Sequence, residues 1–164
     1  MALAAEMKHA PEQYLRQAIG LAVKNVDAGL GGPFGAVIVK DGAVIATGTN
    51  RVTSSNDPTA HAEVMAIRAA CEELRTFDLS GCEIYTSSEP CPMCLGAIYW
   101  SRLDRLYFAC TRQDAAEAGF DDALIYEQIA LPPDQRLIHG ESLLREEARE
   151  AFTRWRNAAN NIKY

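Results

Sequence analysis

Several features that would define other classes of protein are missing from this chain of 164 residues. No apolar run reaches the roughly 18 residues that a membrane-spanning helix needs. The first ten residues include Glu6, Lys8 and His9 and lack the apolar core of a signal peptide. No internal repeat, linker or low-complexity tract is present. These absences predict a single cytoplasmic domain over residues 1–164, long enough to bury one sizeable core.

An excess of basic residues is also missing. The chain has 16 lysines and arginines against 22 aspartates and glutamates, for a net charge of -6. Proteins that bind nucleic acids usually carry a basic face. Arginines alternate with glutamates over residues 145–150, which is typical of a solvated helix face. The charge balance therefore predicts neither a nucleic-acid nor a membrane partner and favours a small-molecule substrate.

The five cysteines are odd in number, and no signal sequence precedes them, which fits a reducing compartment. Three of them lie in apolar stretches and are expected to be small buried residues: Cys71, Cys82 and Cys110. The other two, Cys91 and Cys94, form a C-x-x-C pair after Pro90.

The segment His61-Ala62-Glu63 and the C-x-x-C pair together match the H-x-E and P-C-x-x-C signature of zinc nucleobase deaminases. A catalytic zinc keeps three protein ligands and leaves a fourth position for water. His61, Cys91 and Cys94 supply that number. Two thiolates and one imidazole suit zinc better than other divalent metals.

The cysteine pair is expected at the N-terminus of a helix over residues 91–101. A spacing of three places both sulfurs near one face, and Pro90 and Pro92 suit a helix start. The exposed amides and the helix dipole there favour thiolates.

His61 is expected in a second helix, with Asp57 as its N-cap and Pro58 as its first residue. His61 and Glu63 point to nearly opposite sides of a regular helix, so they converge only off its N-terminal end. The sequence thus predicts a zinc ion between two facing helix N-termini. Glu63 would lie beside the metal-bound water as the general acid and base.

Two other interpretations of the cysteine pair stay open. A lone C-x-x-C is also typical of a redox pair or of half a structural zinc site. The chain has no second C-x-x-C and no paired histidines to close a structural site. Glu63, two residues from the ligand histidine, favours catalysis, because a structural site needs no base.

The order of the predicted helices and strands predicts a three-layer α/β/α sandwich with a mixed sheet of about five strands. Two strands are joined by a tight turn at Asp41-Gly42, and a strand–helix–strand crossover implies a parallel pair. The predicted helices cover residues 11–28, 58–75, 91–101, 114–118, 121–128 and 142–160, and the predicted strands cover 35–40, 43–50, 82–86, 103–110 and 136–139. Residues 51–57 are expected to form a loop.

Five stretches carry a resemblance to known proteins: residues 31–39, 56–63, 89–100, 115–122 and 155–164. On these, the chain resembles the cytidine deaminase-like superfamily and, within it, the bacterial guanine deaminases, over about residues 11–164. The second and third stretches are shared with tRNA adenosine deaminases and cytosine deaminases. The segment Gly119-Phe120-Asp121-Asp122 and the aromatic Tyr164 favour guanine. Ser88 departs from the pattern, in which cysteine is commoner.

The resemblance implies zinc-dependent hydrolysis of guanine to xanthine and ammonia, with one zinc per subunit held by His61, Cys91 and Cys94. It implies that Glu63 shuttles protons. The implied substrate contacts are Phe34 and Trp100 as pocket walls, Asn50 and the backbone of Ala62 on the base, Asp122 on the amino edge and as a second acid, and Tyr164 as a closing group.

The resemblance also implies a homodimer in which a C-terminal segment, about residues 140–164, swaps onto the partner subunit. Other substrates stay open: guanosine, cytosine, an aminotriazine, or adenosine in tRNA.

Overall fold

The structure, a computed structural model, describes residues 11–164. The absence of a signal peptide, predicted from residues 1–10, therefore lies outside the described part of the chain. The chain divides into two compact units, one ending at Asp122 and the other spanning Ala123–Tyr164. Within residues 11–164, no helix combines the length and apolar character needed to cross a membrane.

The first unit contains a mixed four-stranded sheet in the order β2-β1-β3-β4. Its strands are β1 (Gly35–Lys40), β2 (Ala43–Thr49), β3 (Cys82–Ser88) and β4 (Arg105–Cys110). Strand β1 is antiparallel to both β2 and β3, and β3 is parallel to β4, as the strand–helix–strand order predicts. The first two strands meet at the predicted turn, where Asp41 and Gly42 have positive φ angles.

The predicted fifth strand over residues 136–139 is wrong, because the sheet has four strands in the described residues. A strand is stabilised by pairing its backbone with a neighbour. Here, the side-chain amide of Gln128 accepts a hydrogen bond from the Leu137 N–H at 2.6 Å instead. The Arg136 guanidinium donates to the Leu131 carbonyl at 2.9 Å, so the segment folds back on its own unit.

Helices cover both faces of the sheet. The first unit contains α1 (Pro11–Asp27), α2 (Val52–Ser55), α3 (Ala62–Leu74), α4 (Pro92–Trp100) and α5 (Arg112–Glu117). Successive side chains of β1 point to opposite faces of the sheet, and both faces are covered by helices. Val37 and Val39 pack with α1 around Tyr14, and Ala36 and Ile38 pack with α3 and α4. This alternation produces the predicted three layers, although residues 51–57, expected to be a loop, contain the short helix α2.

Glycines on the strands let the helices lie close to the sheet. A Cβ atom on Gly48 of β2 would lie 2.2 Å from the Ala62 carbonyl oxygen in the first turn of α3. A Cβ atom on Gly35 of β1 would lie 2.3 Å from the Ala18 carbonyl oxygen of α1. These contacts fix where α1 and α3 sit on the sheet.

The second unit consists of α6 (Ala123–Ala130), a 3-10 turn (Pro133–Gln135) and α7 (Arg145–Asn157). None of residues 123–164 is buried. Of the three cysteines expected to be buried, Cys82 is fully buried and Cys71 partly so, but Cys110 is exposed. The prediction for Cys110 is wrong because β4 is an edge strand, largely accessible to solvent.

Candidate active site

One edge of the sheet gathers several of the predicted site residues of the first unit. The start of β1 pairs with the end of β2 (Gly35 with Thr49), and the Gly35 N–H donates to the Ser87 hydroxyl near the end of β3 at 3.0 Å. Along the chain, α3 comes after β2 and α4 comes after β3. The Arg51 N–H donates to the Ala60 carbonyl at 2.9 Å, which holds the segment before α3 next to the end of β2. Phe34, Asn50 and the segment before Cys91 therefore share this edge.

The three predicted metal donors meet between the starts of α3 and α4. His61 is the N-cap of α3, Cys91 is the N-cap of α4, and Cys94 lies in the first turn of α4. Their donor atoms all lie within 4.8 Å of one another. The His61 Nδ1 atom is 3.6 Å from the Cys91 sulfur and 3.5 Å from the Cys94 sulfur.

These separations fit a tetrahedral zinc ion. Zinc–nitrogen and zinc–sulfur bonds of ordinary length, at a tetrahedral angle, place the two donor atoms about 3.6 Å apart. The donor set of one imidazole and two thiols is also the set that zinc prefers. The arrangement leaves one tetrahedral position for a non-protein ligand, as in catalytic zinc sites.

The start of α3 differs from the prediction. The Asp57 carboxylate caps no helix, because it accepts hydrogen bonds from the Thr59 N–H at 2.8 Å and the Thr59 hydroxyl at 2.7 Å. This local turn delays the helix to Ala62 and leaves His61 with extended backbone angles. The His61 imidazole consequently lies at the N-terminal end of α3 rather than within its first turns.

Glu63 lies in the first turn of α3 and is buried, with 6% of its surface exposed. The Cys94 thiol donates a hydrogen bond to the Glu63 carboxylate oxygen Oε2 at 3.4 Å. Burial raises the pKa of Glu63 above its ordinary value. A carboxyl group that contacts the metal donor Cys94, but is not itself one of the donors, is suited to exchange protons at this site.

The two thiols differ electrostatically. The hydrogen bond that the Cys91 sulfur accepts from Cys94, together with one that it accepts from His61, lowers the pKa of Cys91 to about 4. The same contact with Cys91 and the burial of the side chain raise the pKa of Cys94. The hydrogen bond to Cys91 raises the pKa of His61. Cys91 is thus a thiolate ready to bind a cation, and binding would release protons from its neighbours.

Asn50 follows β2 and is 6% exposed. Its side-chain oxygen Oδ1 accepts hydrogen bonds from the Gly32 N–H at 3.1 Å and the Val52 N–H at 3.2 Å. Because the oxygen is held by two backbone donors, the amide nitrogen Nδ2 is the atom left for a ligand. Ala62 is buried, and as the first residue of α3 it presents an N–H group that has no partner within the helix.

Phe120, which sequence reasoning did not single out as a site residue, contacts the predicted pocket wall Phe34. Its ring packs edge-on against the Phe34 ring, with centroids 4.9 Å apart at 84°. Asp122 follows two residues later. Burial raises its pKa, Arg112 opposes that shift, and the charge of Cys91 adds to it. The signal was present in the sequence, because Phe120 lies in the Gly119–Asp122 segment that the resemblance had singled out.

The structure does not bring Trp100 to the metal donors of this chain. Trp100 ends α4, about 12 Å along the helix axis from its first residue, and is 67% exposed. Tyr164 belongs to the second unit and is 69% exposed. Both substrate contacts remain predictions.

Comparison with known proteins is consistent with this site. Residues 8–110 match the cytidine and deoxycytidylate deaminase zinc-binding region. The chain belongs to this family of zinc-dependent deaminases, and the match includes all three metal donors and Glu63.

Among individual proteins, the chain is 56% identical to the guanine deaminase of Bacillus subtilis over 153 residues, which are 93% of this chain and 98% of the relative. The crystal structure of guanine deaminase from Bacillus subtilis superposes with a TM-score of 0.92 at 55% identity, covering 96% of this chain and 99% of that one. A tRNA-specific adenosine deaminase from Aquifex aeolicus is 48% identical over only 77 residues, 47% of this chain and 51% of the relative.

Proposed function

We propose that this protein is a guanine deaminase that hydrolyses guanine to xanthine and ammonia. The observation that carries the proposal is the contact of the buried Glu63 carboxyl group with Cys94. Cys94 is one of the three metal donors, together with His61 and Cys91. Similarity to a guanine deaminase over nearly the whole chain supports guanine as the substrate.

His61, Cys91 and Cys94 would hold the zinc ion. When bound, zinc supplies a water molecule whose pKa is lowered toward about 7. Glu63 takes a proton from the attacking water and delivers it to N3 of the purine ring, while the water oxygen bonds to C2. Glu63 then takes the remaining proton from the new C2 hydroxyl group and gives it to the amine, so that the C2 carbonyl forms, the C2–N bond breaks and ammonia leaves. Guanine and water thereby give xanthine and ammonia.

The substrate contacts follow from donor and acceptor chemistry. The Asn50 amide nitrogen and the Ala62 N–H are donors, so each suits an acceptor atom of the purine. Asp122 is an acceptor and suits the amino edge of guanine. The paired rings of Phe34 and Phe120 offer one apolar wall for the base.

We infer further that the two units act as one deaminase domain within a homodimer, and that residues 140–164 swap onto the partner subunit. None of residues 123–164 is buried, and these residues expose many apolar side chains: Leu124, Ile125, Ile129, Leu137, Ile138, Leu143, Leu144, Phe152 and Ile162. Tyr99 and Trp100 at the end of α4 are also exposed. Exposed apolar surface on this scale is typical of an interface. The five free cysteines fit the cytoplasmic location that we propose.

The test is ammonia release from a panel of guanine, guanosine, cytosine, cytidine, adenine and a tRNA anticodon stem, using zinc-loaded protein. We expect release from guanine, with xanthine as the product. Release from guanosine or cytosine instead would keep Glu63 and the zinc ligands but contradict the substrate contacts. The net charge of -6 argues against the tRNA substrate.

Silence on every substrate would favour a structural zinc module. X-ray absorption spectroscopy of the zinc-loaded protein distinguishes that case, because a structural site is closed by four protein ligands whereas a catalytic site keeps an exchangeable position.

A further inference from the structure

We propose that Asn25, on the opposite face of the sheet from α3 and α4, is a positioning residue that aims the Asn50 amide at the purine. The proposal rests on the proposed function, because it assigns Asn25 an effect on substrate binding through Asn50. Asn25 lies in the last turns of α1 and is only 3% exposed.

The side chain of Asn25 joins two segments of the site edge. Its amide nitrogen donates to the Asn50 carbonyl at 2.9 Å and to the Gly32 carbonyl at 3.0 Å. Both partners are acceptors, so only the NH2 end of the amide can face them. One buried side chain thus holds the end of β2 and the Gly31-Gly32 loop together.

The loop in turn fixes the Asn50 side chain. The Gly32 N–H donates to Asn50 Oδ1 at 3.1 Å, and its carbonyl is the group that Asn25 holds. Asn25 therefore controls both the backbone of Asn50 and the donor that orients its amide. A Cβ atom on Gly31 would lie 2.2 Å from the Asn50 carbonyl oxygen, so the loop packs directly against the backbone of Asn50.

The other end of the Asn25 amide argues against a purely stabilising role. Its oxygen Oδ1 is buried and has no hydrogen-bond partner in the described part of the chain. A buried acceptor without a partner destabilises a fold. An apolar side chain of the same shape would avoid that penalty, so what the asparagine adds at this position is the pair of bonds that its nitrogen donates.

Loss of these bonds is expected to let the loop and the strand end move apart, so that Asn50 Nδ2 no longer points at the acceptor atom of the substrate. We expect the Asn25→Leu substitution to lower kcat/KM for guanine by about tenfold or more, since misplacement by an ångström can cost up to about 10² in rate. Zinc content should be unchanged, because Asn25 contacts none of the metal donors.

The test is a double-mutant cycle measuring kcat/KM for guanine in the unaltered protein, Asn25→Leu, Asn50→Ala and the double variant. If Asn25 acts through the Asn50 amide, its substitution has little further effect once that amide is absent, about twofold or less, because residues that share one interaction are not additive. Full additivity of the two losses would overturn the proposal.

Two further variants separate positioning from folding. Tyr14→Phe removes another hydrogen bond from α1, that of the Tyr14 hydroxyl to the Gly42 carbonyl at 2.7 Å, at the opposite edge of the sheet. This substitution should lower thermal stability but leave kcat/KM for guanine within about twofold. The Tyr14–Gly42 bond is far from the site and shares no partner with Asn25 or Asn50, so its loss should not move the substrate contacts. If Asn25→Leu does not fold, Asn25→Ser takes its place in the cycle, since its hydroxyl keeps one donor.

The activity of the unaltered protein distinguishes failure of the proposed function from failure of the positioning role. If it releases no ammonia from guanine, the proposed function and the positioning role both fail. If it is active, and the loss caused by Asn25 is unchanged by Asn50→Ala, only the positioning role fails.

Discussion

At the start of α3, only Ala62 lies between the metal donor His61 and Glu63, whose carboxyl group is not a metal donor. His61 is the N-cap with extended backbone, and Glu63 is the second residue of the helix. Their side chains therefore leave the backbone in different directions and meet in front of the helix. The Cys94 hydrogen bond places the Glu63 oxygen beside the donor set. The spacing H-x-E thus gives two neighbouring groups different chemistry.

Replacing Glu63 by glutamine tests this division of roles. The variant keeps the shape and removes the titrating group, so we expect full zinc content and a fall in kcat of about 10² to 10⁴, the usual contribution of general acid–base catalysis. Zinc is measured by mass spectrometry and turnover by xanthine formation. The matched control is Glu72→Gln, an exposed position on the same helix, and near-native turnover of Glu63→Gln would remove Glu63 from proton transfer.

The cysteines offer a second test at this scale. Cys94→Ala removes one of three donors in a fully buried position, so the variant should lose most of its zinc to a chelator that leaves the unaltered protein loaded. Because a metal that binds only the folded state stabilises it, the melting temperature of the zinc-loaded sample should fall as well. Cys110→Ala, an exposed thiol outside the donor set, should behave like the unaltered protein. Equal zinc retention by both variants would contradict the assigned ligands.

At the scale of elements, local patterns predicted what local physics decides. The strand Gly35–Lys40 and the turn after it were predicted correctly because a short apolar run rich in β-branched residues and an Asp-Gly pair both act within a few residues. The start of α3 was predicted wrongly because Asp57 and Pro58 satisfy the pattern of a cap. The preference of Asp57 for Thr59 is visible only once the turn is built.

Packing between elements was not predictable from periodicity. The extra strand over residues 136–139 has suitable side chains but no neighbour to pair with in the described sheet. The contact of Phe120 with Phe34 joins residues far apart in the chain, so no local pattern contains it. The metal donors were predictable because a spacing of three within one helix, and a known signature, already define them.

The close approach of β2 to α3 gives a prediction at this scale. Gly48→Ala places a Cβ atom 2.2 Å from the Ala62 carbonyl oxygen and 2.5 Å from the Ala66 nitrogen, both rigid backbone atoms. The helix must then shift, at a cost of about 1–3 kcal/mol or more. Thermal unfolding measures this loss. Since α3 carries His61 and Glu63, turnover should fall too.

The control for that experiment is Gly20→Ala in the interior of α1, where an added Cβ meets nothing within 4 Å. Alanine favours a helix interior over glycine by about 1 kcal/mol, so this variant should be slightly more stable. A Gly48→Ala protein as stable as the unaltered one would show that β2 and α3 are not packed as described.

At the scale of the whole molecule, the second unit differs from the first because it lacks a buried core of its own. Its 42 residues, 123–164, include no buried side chain, whereas folding is normally driven by burial of apolar surface. Helix α7 is well supplied with ion pairs, such as Arg154 with Glu150 at 2.8 Å, but exposed pairs add little stability. A partner subunit is the cover that we propose for these apolar residues.

Mixing two inactive variants tests whether the C-terminal segment crosses between subunits. Glu63→Gln damages the chemistry of its own site, and Tyr164→Ala damages the group proposed to close the neighbouring site. In a swapped heterodimer, one site combines both defects, and the other combines an intact Glu63 with an intact Tyr164. Activity should therefore reappear when the two variants are unfolded and refolded together.

The alternative arrangement makes a different prediction. If Tyr164 closes the site of its own chain, every site in a mixed dimer keeps one defect, and mixing restores nothing. Native mass spectrometry of the mixture shows whether heterodimers have formed, because a Tyr164→Ala chain is lighter than a Glu63→Gln chain. Refolding each variant alone supplies the baseline. Recovery of activity would require both a dimer and an exchanged C-terminal segment, because lid closure by Tyr164 excludes water only from the site that it covers.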